Sequence, residues 1–309
     1  MKTVAVMLCT YNGEKFLDEQ VRTLAEQTIS DIAVYVSDDG SSDSTLQIIE
    51  KNKKKYPHLN IELLKSSLRD SRKGFQYNFL SIFNLPELPG KYIAFADQDD
   101  FWDKDKLEIA IKHLQDVPPG QPALYGCRTI LVDENNKQIG FSPLFKKKPS
   151  FANALVQSIM GGNTIVMNAS AWQLLKCAQG PDIISHDWWS YLLISGAGGH
   201  IIYDPIPRVR YRQHLSNVVG NNNSLLGMLQ RIKWLAEGRF SKYNQTHLQG
   251  LYAKNSLLTA ENQRILNRFN DARKASLFRR IRYMMSREIY RQTFLDTLGL
   301  WAAVLTRKF

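Results

Sequence analysis

Four times in the first hundred residues a short apolar run stops in a polar cluster, and the stretches between carry apolar residues at helical spacing. Thr3–Cys9 is almost continuously apolar, too short for a helix and β-branched enough for a central strand, and it ends in Thr10-Tyr11-Asn12-Gly13. Leu17, Val21 and Leu24 follow at helical spacing, with Glu14, Asp18 and Glu19 in the first turns, where the helix dipole favours acids. Ile32–Val36 runs into Ser37-Asp38-Asp39-Gly40-Ser41-Ser42 and then a helix with Leu46, Ile48 and Ile49. Leu59–Lys65 is a third strand, before a helix with Phe75, Phe79, Ile82 and Phe83 on one face, and Tyr92–Ala96 is the fourth. Such βαβαβαβ alternation predicts an α/β fold around a Rossmann-like, mostly parallel, doubly wound sheet with right-handed crossovers. Ligands of such sheets sit beyond the carboxyl ends of the strands. The clusters Thr10–Gly13, Asp38–Ser42 and Asp97–Asp100 are therefore expected to meet at one crevice.

The last cluster carries the most chemistry. Asp97-Gln98-Asp99-Asp100 places three carboxylates within four positions at a strand end, and crowded acids persist only where a cation or a set of donors sits among them. Asp97 and Asp99, at i and i+2, point to the same side of an extended or turning chain. They can offer two hard oxygen ligands to Mg2+ or Mn2+, with water and a substrate's phosphates completing the octahedron. The alternative is capping, by Asp99, Asp100 or Asp103, of the helix that carries Leu107, Ala110, Ile111 and Leu114, although one cap needs one acid. No glycine-rich dinucleotide or P-loop motif follows the first strand, which leaves phosphate to a metal.

Farther along, Pro122–Val132 reads as a strand and Lys146-Lys147-Lys148-Pro149 as an exposed loop. Gly161-Gly162-Asn163-Thr164 permits close backbone approach to a ligand or is a plain turn. Ser185-His186-Asp187-Trp188-Trp189 opens a helix; Ile201–Tyr203 and Val209–Tyr211 read as two strands, with a polar loop from Arg212 onward. The three cysteines, Cys9, Cys127 and Cys177, are widely spaced among apolar residues and read as buried fillers. Asn221-Asn222-Asn223-Ser224 is the best boundary. It divides a catalytic part, residues 1–220, from a basic helical part, residues 221–309.

Charge divides at the same place. The net charge is +11, yet residues 1–223 hold 24 Lys and Arg against 24 Asp and Glu, while residues 224–309 hold 16 against 5. A neutral body argues against nucleic acid, and a basic tail argues for an anionic surface. Leu225, Leu226, Met228, Leu229, Ile232, Trp234 and Leu235 form one apolar helical face. Phe278, Ile281, Tyr283, Met284, Met285, Ile289 and Tyr290 form another, interleaved with arginines. The tail is expected to hold the chain on the inner face of a membrane, or to pack on the catalytic part or form a homodimer. With no signal peptide and no run of 18 apolar residues, the expected location is the cytoplasm.

Cys9-Thr10-Tyr11-Asn12-Gly13, Ser37-Asp38-Asp39-Gly40-Ser41, Asp97-Gln98-Asp99-Asp100 and His186-Asp187-Trp188-Trp189, in this order, resemble an inverting family 2 glycosyltransferase of the GT-A fold. The Asp-Gln-Asp-Asp-x-Trp form, with Tyr211-Arg212-Gln213-His214 later, is similar to bacterial rhamnosyltransferases. The resemblance implies a nucleotide-sugar half to residue 115 and an acceptor half over residues 116–220, and transfer of a sugar, L-rhamnose first among the candidates, from a dTDP- or UDP-type donor to a cell-surface polysaccharide or lipid-linked acceptor. It puts Thr10, Tyr11 and Asn12 around the nucleobase, Asp38 or Asp39 on the base's imide, and Lys73 and Gln98 with the donor. Asp97 and Asp99 become the DxD pair on Mg2+ or Mn2+, with His214 as a further metal or phosphate contact. Asp187 falls on the catalytic base; many relatives have Glu-Asp there, and His186 replaces the first acid. His186, Trp188 and Trp189 fall on the acceptor side, where the two tryptophans could stack on sugar, with one of them core. Capping remains the alternative for Asp187, and a plain loop histidine for His214. The rival functions are a sugar nucleotidylyltransferase, whose basic glycine-rich loop is missing at Thr10–Gly13, and a non-catalytic carbohydrate-binding subunit.

Overall fold

The computed structural model describes residues 2–68, 72, 74–214 and 237–309. Lys73, the boundary at Asn221–Ser224 and the apolar face from Leu225 to Leu235 lie outside them.

The first four strands are β1 (Lys2–Thr10), β2 (Ile32–Asp38), β3 (Ile61–Leu63) and β4 (Gly90–Ala96). They pair in parallel in the order β3-β2-β1-β4. Between them run α1 (Leu17–Ala25), α2 (Thr45–Lys55) and α3 (Phe75–Leu80). Beyond β4 the sheet continues with β8 (Val166–Asn168), β6 (Ala123–Val132), β9 (His200–Arg212) and the two-residue β5 (Phe101–Trp102), while β7 (Gln138–Phe141) pairs off β6. The β4–β8, β8–β6, β9–β5 and β6–β7 pairs are antiparallel and β6–β9 is parallel.

The period-two alternation of β1 sorts the core into two layers. Val4, Val6 and Leu8 face α1, α2 and α4 (Lys106–Gln115) through Leu17, Val21, Leu24, Ile49, Leu107, Ala110 and Leu114. Ala5, Met7 and Cys9 face the other side. There α3, α5 (Phe151–Ala154), α6 (Ala169–Cys177) and α7 (His186–Gly196) pack. Both faces of the sheet are therefore covered.

Two details differ from the sequence reading. Ile201–Tyr203 and Val209–Tyr211 belong to one strand, β9, whose pairing steps from Cys127↔Asp204 to Thr129↔Val209. The extra residues form a bulge that holds Pro205 and Pro207, a site where proline costs no ladder hydrogen bond. Cys177 is exposed, because at the end of α6 the inward positions are Leu175 and Ala178.

The basic tail forms α8 (Arg239–Ala253), α9 (Ala260–Lys274), α10 (Leu277–Met285) and α11 (Phe294–Leu305). Its Leu248, Leu251, Leu266, Phe269, Met284, Ile289, Leu300 and Val304 share one buried cluster with α5–α7. The apolar face expected from Phe278 to Tyr290 is thus split: Met284 and Ile289 are buried, Tyr290 reaches the Ser150 hydroxyl at 2.8 Å, and Phe278 and Met285 stay outside. Among the described residues no helix is long and apolar enough to cross a membrane.

Candidate active site

The three polar clusters meet where the parallel strands end. Thr10 pairs with Asp38 across β1 and β2, and Leu8 pairs with Ala96, the residue before Asp97. Burial first, then the charges of Asp97 and Asp39, push the Cys9 thiol well above its ordinary value, so both acids lie close to the end of β1.

Most side chains of the first two loops are spent on each other. The Asp38 carboxylate accepts from the Thr10 hydroxyl (2.8 Å), from the Gly40 and Ser41 amides (3.0 and 2.8 Å) and from the Ser41 hydroxyl (2.5 Å). Asn12, at φ 45°, accepts from the Ser42 amide at 2.8 Å while its own amide donates to the Ser41 hydroxyl. Gly13 donates to the Thr45 hydroxyl and Glu14 to Asp43, which closes the two loops into one rim. Two groups are left facing out: the Tyr11 ring, 57% exposed, and the Asp39 side chain. Of the pair Asp38 and Asp39, Asp39 is the one with a carboxylate open to a ligand.

Gln98 closes the rim on the other side. Its Oε1 accepts from the Tyr11 amide at 2.9 Å and its Nε2 donates to the Tyr11 carbonyl at 3.0 Å, a two-point amide pair across 87 residues. A Cβ on Gly13 would stand 2.3 Å from that Oε1, so the close approach requires glycine. Gln98 holds the Tyr11 loop.

The acid cluster is not a set of caps. The helix after it starts at Lys106 behind Asp105, and no side chain caps it. Asp100 is fully buried and accepts from Asn163 Nδ2 (2.5 Å) and the Arg212 amide (3.1 Å). Asp99 lies 2.8 Å from His214 Nε2. Asp97, half-buried, has no hydrogen bond among the described residues; burial first, then repulsion from Asp99 and Asp187, raises its carboxyl to about 7.

Two buried cations stand behind these acids, and the sequence reading assigned neither. Arg212, 1% exposed, donates through Nε to the Asp99 carbonyl (2.8 Å) and through Nη2 to Glu19 (2.6 Å), between the rings of Phe16 and Phe101. Lys106, 0% exposed, lies over the Trp102 ring with its ammonium 3.0 Å from the centroid. Burial pushes that ammonium down to about 7, against the pull of Cys127, Asp100 and Asp97.

Across the crevice, Asp187 lies in the first turn of α7, whose N-cap is Ser185. It is half-buried, with no hydrogen-bond or ion-pair partner among the described residues, so it is not a cap. His186 turns the other way. Its ring stacks on Phe79 (3.9 Å between centroids) and meets Phe95 edge-on, and burial lowers its pKa to about 4. Gly162 closes over it: a Cβ there would stand 2.2 Å from His186 Nε2, so Gly162 serves this packing.

Trp189, 2% exposed, is core against Gly250 of α8. His186 and Trp189 thus do not reach the crevice, and Trp188 is held by Ala154 (Nε1 to carbonyl, 2.7 Å) and the His247 ring.

Among the described residues no three His, Cys, Asp or Glu side chains form a ready-made cation cage. Asp97 and Asp99 still fit a hard cation: oxygen donors, one of them repelled by the other and by Asp187, with the remaining positions left to water and phosphate. His214 bonds Asp99 directly.

Comparison with known proteins agrees with this geometry. Residues 5–167 match the model of glycosyl transferase family 2. The chain is 32% identical over 235 residues to the dTDP-rhamnosyl transferase RfbG of Shigella flexneri, which covers 73% of this chain and 78% of that protein. In fold it is similar to Staphylococcus aureus TarS 1-349 in complex with UDP-GlcNAc (TM-score 0.54, 19% identity, 85% of this chain and 78% of that one). It is also similar to the mannosyltransferase PcManGT of Pyrobaculum calidifontis in complex with GDP-Man and Mn2+ (TM-score 0.52, 16% identity, 98% and 87%). With the GT-A arrangement of its sheet, the chain belongs to glycosyl transferase family 2 and is a glycosyltransferase.

Proposed function

We propose that this glycosyltransferase is metal-dependent and inverting, and that it moves L-rhamnose from a dTDP-type donor to a lipid-linked or polysaccharide acceptor at the cytoplasmic face of a membrane. The observation that carries the reading is the set of open groups around one crevice: Tyr11 and Asp39 on one rim, Asp97 and Asp99 at its floor, Asp187 opposite. Tyr11 offers a flat face to a nucleobase and Asp39 an acceptor for its imide N–H. The match to a dTDP-rhamnosyl transferase supports the sugar and the base, and family membership speaks against nucleotidyl transfer and against a binding-only subunit.

In this reading Asp187 takes the proton of the acceptor hydroxyl as that oxygen attacks the anomeric carbon, and the bond to the diphosphate breaks on the opposite face. Asp97 and Asp99 would hold Mg2+ or Mn2+, whose charge offsets what grows on the leaving diphosphate. Arg212 braces the floor through the Asp99 carbonyl, Lys106 offsets part of the repulsion on Asp97, and Gln98 fixes the Tyr11 loop against it.

A thermal-shift screen tests the donor. dTDP-rhamnose with Mn2+ is expected to raise the melting temperature more than UDP- or GDP-sugars do, since a ligand that binds only the native state stabilises it. A larger shift with another nucleotide sugar would replace the donor named here.

Gln98→Glu tests the loop. A carboxylate still accepts from the Tyr11 amide but cannot donate to its carbonyl, and it sets a charge against that oxygen. Loss of one arm of this two-point pair, with a like charge set in its place, is expected to raise KM for the donor on the order of tenfold, with kcat changed less. Gly13→Ala is expected to do the same by pushing Gln98 away. Unchanged donor KM in steady-state kinetics of both variants would remove this role.

A further inference from the structure

The outer faces of α10 and α11 combine apolar and cationic groups in a way that neither the core nor the crevice uses. Around α11 the buried side is Leu300, Ala303 and Val304. On the opposite side lie Phe294 (76% exposed), Leu295 (65%), Leu298 (48%), Ala302 and Leu305 (51%), which fall within one face about 100° wide. That face carries no polar side chain. The one charged residue of the helix, Asp296, accepts from Thr293 Oγ1 (2.6 Å) and Gln157 Nε2 (3.2 Å).

On the neighbouring α10, Arg280 and Met284 are buried while Phe278 (75%) and Met285 (70%) stand outside with Arg282 between them. The exposed Arg279, Arg282, Arg287 and Arg307 make no ion pair among the described residues. More cations arrive from the body. Gln292 exchanges hydrogen bonds with the Lys147 backbone at 2.9 and 3.0 Å, which brings the exposed loop Lys146–Lys148 to the point where Phe294 and Leu295 emerge.

Water is a poor environment for this much exposed Phe, Leu and Met, and cations without partners call for anions. A nucleic acid would meet the second need only, and an apolar protein groove only the first. A second copy in two-fold contact would set the same arginines against each other. We propose that the outer faces of α10 and α11, with Lys146 and Lys148 at their edge, are the surface on which the protein seats on an anionic lipid bilayer, Phe294, Leu295, Phe278 and Met285 entering the acyl boundary and the basic side chains meeting headgroup phosphates. The helices lie on the bilayer and do not cross it. The proposal deepens the reading of the site given above, and rests on it only for the reason a bilayer is needed, a lipid-linked acceptor.

The test is co-sedimentation of the full-length protein with vesicles of phosphatidylcholine alone and of phosphatidylcholine with phosphatidylglycerol. The wild type is expected to sediment with the anionic vesicles at low salt, to be released as salt rises, and to ignore the neutral ones. Phe294→Ser with Leu295→Ser is expected to lower partitioning on the order of tenfold, and Arg279→Gln with Arg282→Gln to lower it and flatten its salt dependence. Unchanged melting temperatures show that the variants fold. Wild-type protein left in the supernatant with anionic vesicles at low salt, or serine variants that bind as the wild type does, would overturn the proposal. So would sedimentation velocity showing a dimer that the serine variants dissolve, which gives the face to a second copy. Vesicle binding by a protein that shows no donor-induced shift supports the surface and counts against the site reading alone.

Discussion

Asp187→Asn is expected to lower turnover by roughly 100-fold or more while donor affinity stays close to that of the wild type, the usual scale for a lost proton acceptor. The substitution is clean here for a structural reason. The Asp187 side chain makes no hydrogen bond or ion pair among the described residues and does not cap α7, so an isosteric amide leaves its surroundings in place. Asn also caps well, so even a hidden capping role would survive the change. Steady-state turnover read beside a donor thermal shift separates the cases. Near-normal turnover in the Asp187→Asn variant would place the base on another residue.

The second large effect concerns the floor of the crevice. Asp99→Asn and Asp97→Asn are each expected to abolish turnover and to remove the extra stabilisation that Mn2+ gives the nucleotide-bound protein. Without metal, Asp97→Asn differs in sign from an ordinary core mutation. The Asp97 carboxyl is raised from about 4 in an unfolded chain to about 7 by burial and by repulsion from Asp99 and Asp187. The native protein therefore binds more protons than the unfolded chain between those values, and its stability falls as pH rises through that window. Asp97→Asn removes the penalty, so in EDTA the variant should melt higher than the wild type at pH 8 and show a flatter profile from pH 4 to 7. Full wild-type activity in EDTA, or an Asp97→Asn variant that melts lower than the wild type at pH 8, would contradict this account.

How far the residues themselves disclose this molecule depends on the range of the interactions involved. The parallel half is legible because β1, β2 and β4 contain contiguous apolar runs and α1 carries its buried Leu17, Val21 and Leu24 at helical spacing, patterns that need no partner to be read. Its carboxyl ends are legible for the same reason, since the polar clusters follow the runs directly. The division of labour inside the clusters is not. Whether Asp38 or Asp39 faces a ligand depends on Thr10 and Ser41, and whether Gln98 binds or braces depends on the Tyr11 backbone, contacts set by strand order and register.

Buried cations mislead for a related reason. Arg212 reads as surface until the Phe16 and Phe101 rings and the Glu19 carboxylate are brought to it from elsewhere in the chain, and Lys106 reads as a charged helix start until the fold buries it over Trp102. His186 errs the same way: beside an acid in a presumed site it reads as functional, while Phe79, Phe95 and Gly162 make it packing. β5 and β7 are too short for any period to show, and the prolines in the β9 bulge imitate a break.

The joint between the tail and α7 bears on how such enzymes can be rebuilt. The Thr259 amide and the Asn262 side chain satisfy the last carbonyls of α7 at Ser195 and Gly196, Gly250 receives the Trp189 ring, and Tyr290 and Arg291 bond Asn153 and Val156 beside it. The helix that carries Asp187 is thus completed by residues from the end of the chain. A protein shortened before residue 237 would expose the underside of that helix and take both of these donors from its Gly196 carbonyl, so loss of activity on truncation would report damage to the helix of Asp187 as readily as loss of an anchor. A chimera that exchanges tails between relatives has to carry the α5–α7 surface with them, and the inheritance of acceptor choice and of anchoring would then be tied together as one piece.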